Sequence, residues 1–168
     1  MSTTTERALA TQVFRVYIKA TPEAIWDAIT KPEWTQRYGY RGLVEFDGLS
    51  AGGKYRFVAP PEMQEMGMPE VVVDGEVLEA DPPRRLVQTW HPLWAEDIAA
   101  EKSRVTYEIE EDDGGVTRLT VTHEVDGAPI TAAQVGLSDA RMREGGGGWP
   151  MILSDLKSLL ETGSPLGG

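Results

Sequence analysis

The 168-residue chain carries no cysteine, two histidines and a formal net charge of −11. Disulfides, thiolate chemistry and cysteine-based metal sites are therefore excluded, and the acidic balance argues against a nucleic-acid partner or an anionic membrane surface. With 40% hydrophobic and 26% charged residues, the chain reads as one globular domain, long enough to bury about 70% of its unfolded surface.

The opening "MSTTTERALA" has neither the basic start nor the apolar run of a signal peptide. No window approaches the ~18 apolar residues of a membrane span, so a cytoplasmic location is expected. Residues 1–11 read as a disordered tail. "QVFRVYIKA" then alternates Val13, Arg15 and Tyr17 against Phe14, Val16 and Ile18, the pattern of a strand with one apolar face. In "TPEAIWDAIT", Thr21 suits an N-cap, Pro22 the first helical position and Glu23 the positive helix end. Ile25, Trp26 and Ile29 give this helix its apolar stripe. Pro32 stops it and starts a second short helix bearing Trp34 and Tyr38, which ends near Gly39.

Strands follow. "LVEFDG" and "KYRFV" predict a hairpin around "LSAGG", and "EVVVDGEVLEA" and "RRLVQTWH" are separated by the turn "DPP". "SRVTYEIEE" and "VTRLTVTHEV" form the clearest hairpin, through "DDGG". A loop at Asp113–Gly115 sets Tyr107 opposite Val121 and Val105 opposite His123. The last helix is predicted to begin at Pro150. It gathers Ile152, Leu153, Leu156, Leu159 and Leu160 on one face and stops at Gly163, leaving residues 164–168 as a flexible tail.

No strand–helix–strand alternation occurs, so the class is α+β with a mostly antiparallel sheet of about six to seven strands. Such a sheet curls, and the long apolar-faced helix must cross its concave side. A cavity can remain between them.

The glycine run Gly145–Gly148 is not a phosphate cradle. No strand precedes it, its glycines are contiguous, and Trp149 and Pro150 stand where Lys and Ser or Thr would be needed. It reads as a flexible entry to the last helix.

Several blocks resemble a known superfamily. "VYIKATPEAIWDAITKPEW" is similar to the opening of START-like, helix-grip (SRPBCC) proteins. "GEVLEADPPRRLVQTW", "SRVTYEIEE", "GGVTRLTVTHE" and "GWPMILSDLKSLLETG" resemble the branch of heat-shock-protein ATPase activator homologues, whose last helix opens on Gly-Trp. The resemblance covers residues 12–163, in the family's order. It implies a sheet gripping the C-terminal helix with an apolar pocket between them. Relatives on this fold include lipid carriers, cyclases and aromatases, binders of aromatic ligands and chaperone cofactors, so the fold does not by itself name the activity. The long glycine run and the long connection "HPLWAEDIAAEK" depart from the pattern, and both are expected to form a mobile rim.

His123 is in phase with Leu119, Val121 and Val125 and is expected on the concave side, as a hydrogen-bonding group, a general base or a satisfied core histidine. His91 should lie one strand away, with backbones about 9–10 Å apart, and Ser103 or Tyr107 on the strand between. Trp90 and His91 face opposite sides; which one points inward is left open. Glu124 alternates away from His123, so no metal is expected. "EIEEDDGG" lacks the alternating ligands of a calcium loop. Met63, Met66 and Met68 offer adaptable apolar surface or an ordinary packed loop, and Trp34, Tyr38 and Tyr40 an opposite rim. Arg141 and Arg143 could meet an anionic ligand head or simply be solvated. Ser103, Ser138 and Ser154 stand in no nucleophile elbow, so no catalytic residue is assigned.

The expected function is binding, as carrier or sensor, of a small hydrophobic or aromatic molecule, without a cofactor and by a monomer or homodimer. The expected lining is Tyr55, Phe57, Val105, Tyr107, Val121, His123, Trp149 and Leu153, with Met66 and Tyr38 at the entrance. Trp149 and Leu153, four residues apart, share a helix face. The alternatives are a cyclase, dehydratase or hydrolase using His123 and Tyr107, and a module resembling the chaperone activators.

Overall fold

The computed structural model describes residues 11–135 and 148–166. Seven strands form one antiparallel sheet in the order β1-β7-β6-β5-β4-β3-β2. These are β1 (Thr11–Ile18), β2 (Leu43–Asp47), β3 (Lys54–Val58), β4 (Val71–Asp81), β5 (Arg85–Pro92), β6 (Ser103–Glu111) and β7 (Thr117–Glu124). Between β1 and β2 lie α1 (Pro22–Thr30) and α2 (Pro32–Thr35). The later helices are α3 (Pro61–Glu65), α4 (Pro129–Val135) and α5 (Gly148–Thr162). The architecture is the α+β helix-grip arrangement that the element order implies.

Local signals act as expected at the start. The Thr21 hydroxyl accepts from the Ala24 N–H at 3.1 Å, capping α1. Phe14 and Ile18 are buried, while Val13 and Tyr17 on the opposite face of β1 are about half exposed. Around the β6–β7 turn, Tyr107 pairs with Val121 and Val105 with His123, as the turn position requires. The Gly163 N–H bonds the Leu159 carbonyl as α5 ends.

The helix boundaries are corrected in two places. α5 starts at Gly148 rather than Pro150, and Gly148 has φ +59°, a left-handed conformation that glycine takes without steric cost. The methionine segment, expected as a loop, contains α3, whose first position is held by Pro61. Beyond α5, the Leu166 N–H returns to Asp155 Oδ1 at 2.6 Å, tying the chain back onto the helix.

Parity divides the sheet into a wet face and a dry face. Outward, Arg104 makes two hydrogen bonds to Glu124, and Arg56 and Arg118 pair with Glu45 and Glu110. Such exposed pairs favour solubility and add little stability. Inward, Ile18, Leu86, Val105, Ile109, Leu119 and Val121 meet Ile25 of α1 and Leu153, Leu156 and Leu159 of α5. Burying each such side chain is worth about 1.5–3 kcal/mol.

The β4–β5 ladder opens between Asp74↔His91 and Val77↔Gln88. Side chains bridge the opening: the Thr89 hydroxyl accepts the Glu76 N–H, and the Tyr55 hydroxyl donates to the Thr89 carbonyl at 2.6 Å. Tyr55 reaches across only because Gly75 lies beneath it. A Cβ at Gly75 would stand 2.3 Å from the Thr89 oxygen and 2.7 Å from the Tyr55 ring. Gly75→Ala is therefore expected to cost about 2 kcal/mol or more, and Tyr55→Phe about 1 kcal/mol. Both appear as a lower denaturation midpoint with an unchanged denaturant slope.

Candidate functional site

A cavity of about 290 Å³ lies between the concave sheet and the helices. Phe46, Tyr55 and Phe57 line it from the β2–β3 hairpin, Gln88 and Trp90 from β5, and Tyr107 from β6. Trp149, Ile152, Leu153 and Leu156 of α5 close the opposite side. Tyr38, Tyr40, Met63, Met68 and Trp94 are also part of the wall. None of the described lining residues carries a charge.

Of the residues expected at the site, Tyr38, Tyr55, Phe57, Tyr107, Trp149 and Leu153 line the cavity. Val105, Val121 and His123 are wholly buried and lie outside the lining. The reason is stature: Val105 pairs with Gln88, and Val121 with Tyr107, whose longer side chains reach past the valines. Met66 is 84% exposed and does not line the cavity. It caps the C-terminal end of α3, so the adaptable surface falls to Met63 and Met68 on either side. Trp34 packs against the core under Arg37 and is no part of the rim. Arg141 and Arg143 lie outside the described residues, as do Ser138 and Gly145–Gly147.

His123 sits behind the wall as the centre of a buried chain of hydrogen bonds. The Trp149 indole N–H donates to Nδ1 at 3.0 Å, and Nε2 lies 2.7 Å from Ser103 Oγ. Ser103 Oγ donates in turn to the Trp90 carbonyl at 3.2 Å. Because Nδ1 accepts, the ring carries its proton on Nε2 and is neutral. Burial agrees, pushing the His123 pKa down to about 4. Trp90 stands edge-on to the imidazole at 5.1 Å and Trp149 at 6.1 Å. Tyr107 meets Trp149 edge-on at 6.0 Å, and burial raises its pKa, keeping the phenol neutral.

With both ring nitrogens engaged, His123 positions the wall and has no lone pair to offer a substrate. Ser103, expected on the strand between the histidines, is its direct partner. His91 points the other way: Nδ1 lies 2.8 Å from Asp74 Oδ1 and Nε2 2.8 Å from the Ala99 carbonyl. The histidines do not share a site. The connection containing Ala99, expected as a mobile rim, is held down instead. Ile98 is fully buried, and Glu101 accepts from the Ile130 and Thr131 N–H groups and the Thr131 hydroxyl. Of the lining residues that the sequence reading missed, Gln88 left the clearest signal: "RRLVQTWH" places it in phase with Leu86 and Trp90, a polar side chain on an apolar face.

A model of Activator of Hsp90 ATPase homolog 1-like proteins matches residues 19–161. The chain belongs to this family. No curated protein matches it. Among solved structures, CalU16 from Micromonospora echinospora is 24% identical, with 92% of this chain and 76% of that one covered and a TM-score of 0.58. An HSP90 activator from Plasmodium falciparum is 22% identical, with 94% and 91% covered and a TM-score of 0.52. The Aha1 dimer from Colwellia psychrerythraea is 18% identical, with 91% and 97% covered and a TM-score of 0.58. At these identities the likenesses show the shared fold. No described helix is long and apolar enough to cross a membrane.

The His123 geometry gives a pH dependence. The unfolded imidazole takes up a proton near pH 6.5 and the native one only near 4, so native stability is fully present above about 6.5 and falls as pH drops toward 4. The loss is about 3 kcal/mol. Urea unfolding between pH 7 and 5 should show this slope, and His123→Leu, already destabilised by the orphaned Trp149 indole N–H, should lack it.

Proposed function

We propose that this protein binds a small, uncharged, largely aromatic molecule in the cavity between its sheet and α5, as a carrier or sensor. The observation that carries this reading is the lining: mostly rings and aliphatic side chains, with no charge among the described residues. A charged ligand would lose its hydration there without a partner, at several kcal/mol, whereas flat apolar molecules gain edge-to-face and stacking contacts with Tyr107, Trp149 and Trp90. The volume is at the small end of ligand pockets, which run from about 300 to 1,000 Å³. Two or three aromatic rings suit it.

The geometry favours binding over catalysis. His123, the natural candidate base, spends both nitrogens on Trp149 and Ser103, and a base must reach the proton it removes. The family name supports a second reading, stimulation of a chaperone ATPase, separable by adding this protein to an Hsp90 ATPase assay.

The neutral fluorophore N-phenyl-1-naphthylamine tests the binding reading. Its emission should rise saturably with the protein, and Leu153→Trp, which fills the cavity, should weaken binding at least tenfold while the fold remains intact by circular dichroism. No saturable binding, or equal binding by the filled variant, would refute the cavity as the site. Native mass spectrometry beside the denatured mass would show any ligand carried through purification.

A further inference from the structure

The polar side chains of the cavity wall are mostly committed. The Tyr38 hydroxyl donates to the Ala28 carbonyl at 2.9 Å, Tyr55 to the Thr89 carbonyl, Thr35 to the Gly42 carbonyl at 2.8 Å, and the Trp149 indole to His123. Gln88 is an exception. It is only 5% exposed, lines the cavity, and its Oε1 is shut off from solvent with no hydrogen-bond partner among the described residues. A buried amide oxygen without a partner loses its hydration with nothing in return, so it calls for an explanation.

Simple packing does not supply one. Leu86 and Trp90, the inward neighbours of Gln88 on β5, are apolar, and a methionine of similar length would fill the position without the penalty. The side chain hangs from a strand ladder, with Val105 opposite and Tyr107 on the diagonal. No hydrogen bond of the Tyr107 hydroxyl occurs among the described residues, and its ring faces the same cavity. The terminal amide torsion of glutamine is soft, so the group can turn its oxygen or its NH₂ toward an occupant.

We infer that Gln88 is the specificity residue of the cavity, accepting a hydrogen bond from a hydroxyl on an otherwise apolar aromatic ligand. The inference rests on the proposal that the cavity is the ligand site, and it deepens it by naming the ligand class: neutral phenols and aromatic alcohols, ahead of hydrocarbons and ethers. A hydroxyl suits the site because it both donates and accepts, and so satisfies either face of the amide. A carboxylate ligand is disfavoured, since it has no proton to give Oε1 and no cation on the described wall to meet it.

Three probes of one size test this: 2-naphthol, 2-methoxynaphthalene and naphthalene, each titrated calorimetrically into the wild-type protein and Gln88→Met. The wild type should bind 2-naphthol roughly tenfold tighter than the ether, the size of effect a buried hydrogen bond gives. In Gln88→Met the two affinities should converge within about twofold, mainly through weaker naphthol binding. Equal affinities in the wild type would overturn the Gln88 inference while leaving the cavity reading intact. Failure of all three probes to bind would overturn both. A preference that survives Gln88→Met would assign the hydroxyl to another group, Tyr107 first, and overturn the inference. Should the variant not fold, the side-chain amide resonances of wild-type Gln88 decide: they shift with 2-naphthol and not with the ether if the inference holds, and move alike with both if it fails.

Discussion

The hydrogen bond from the Trp149 indole to His123 Nδ1 is the contact on which the rest of this site depends. It joins the first turn of α5 to the end of β7, two segments that come together only when the sheet has curled around the helix. Dispersion forces would hold these rings together at many angles. A hydrogen bond to one nitrogen lone pair fixes a single angle, and with it the position of the Trp149 face across from Tyr107. The chain continues through Ser103 to the Trp90 carbonyl, so the His123 ring has a partner at each nitrogen. Such a network gives direction to an apolar core, and it is intolerant of losing one member.

Polar anchors recur wherever an irregular segment meets the scaffold. Asp155, buried on α5, accepts from the Gly39 N–H after α2 and from Leu166 beyond the helix. Glu101 holds the start of α4 in the same way. These carboxylates work through backbone N–H groups that helix starts and turns leave without backbone partners. At the opening in the β4–β5 ladder, the Tyr55 hydroxyl and the Thr89 side chain replace missing backbone pairs, and the absence of a side chain at Gly75 makes the crossing possible. The cavity lies among elements held from outside it. Tyr38, Tyr55 and Trp149 serve twice, presenting a ring to the cavity while their polar atoms anchor the scaffold behind it.

Against that background Gln88 stands apart. Tyr38, Tyr55, Thr35 and Trp149 each spend their polar atoms on protein partners, and the Gln88 oxygen does not. Local cost without local benefit is the pattern that functional positions show in otherwise consistent structures.

The sequence by itself determined the fold class and much of the inward-facing set. Alternation along β1, β6 and β7 put Phe14, Ile18, Tyr107, Val121 and His123 on one side, the Thr21 cap placed α1, and the β6–β7 turn fixed a register that the structure keeps. These are properties of neighbours in sequence, readable with a period of two or 3.6. Depth is not such a property. Whether an inward residue reaches the cavity, as Gln88 and Tyr107 do, or lies beneath taller neighbours, as Val105 and Val121 do, depends on side chains from adjacent strands. The turning of Met66 into solvent, the pairing of His91 with Asp74 outside, and the meeting of His123 with Trp149 inside were likewise decided by tertiary structure. Each depends on how the sheet curves and where the helix crosses it, which only contacts between distant segments fix.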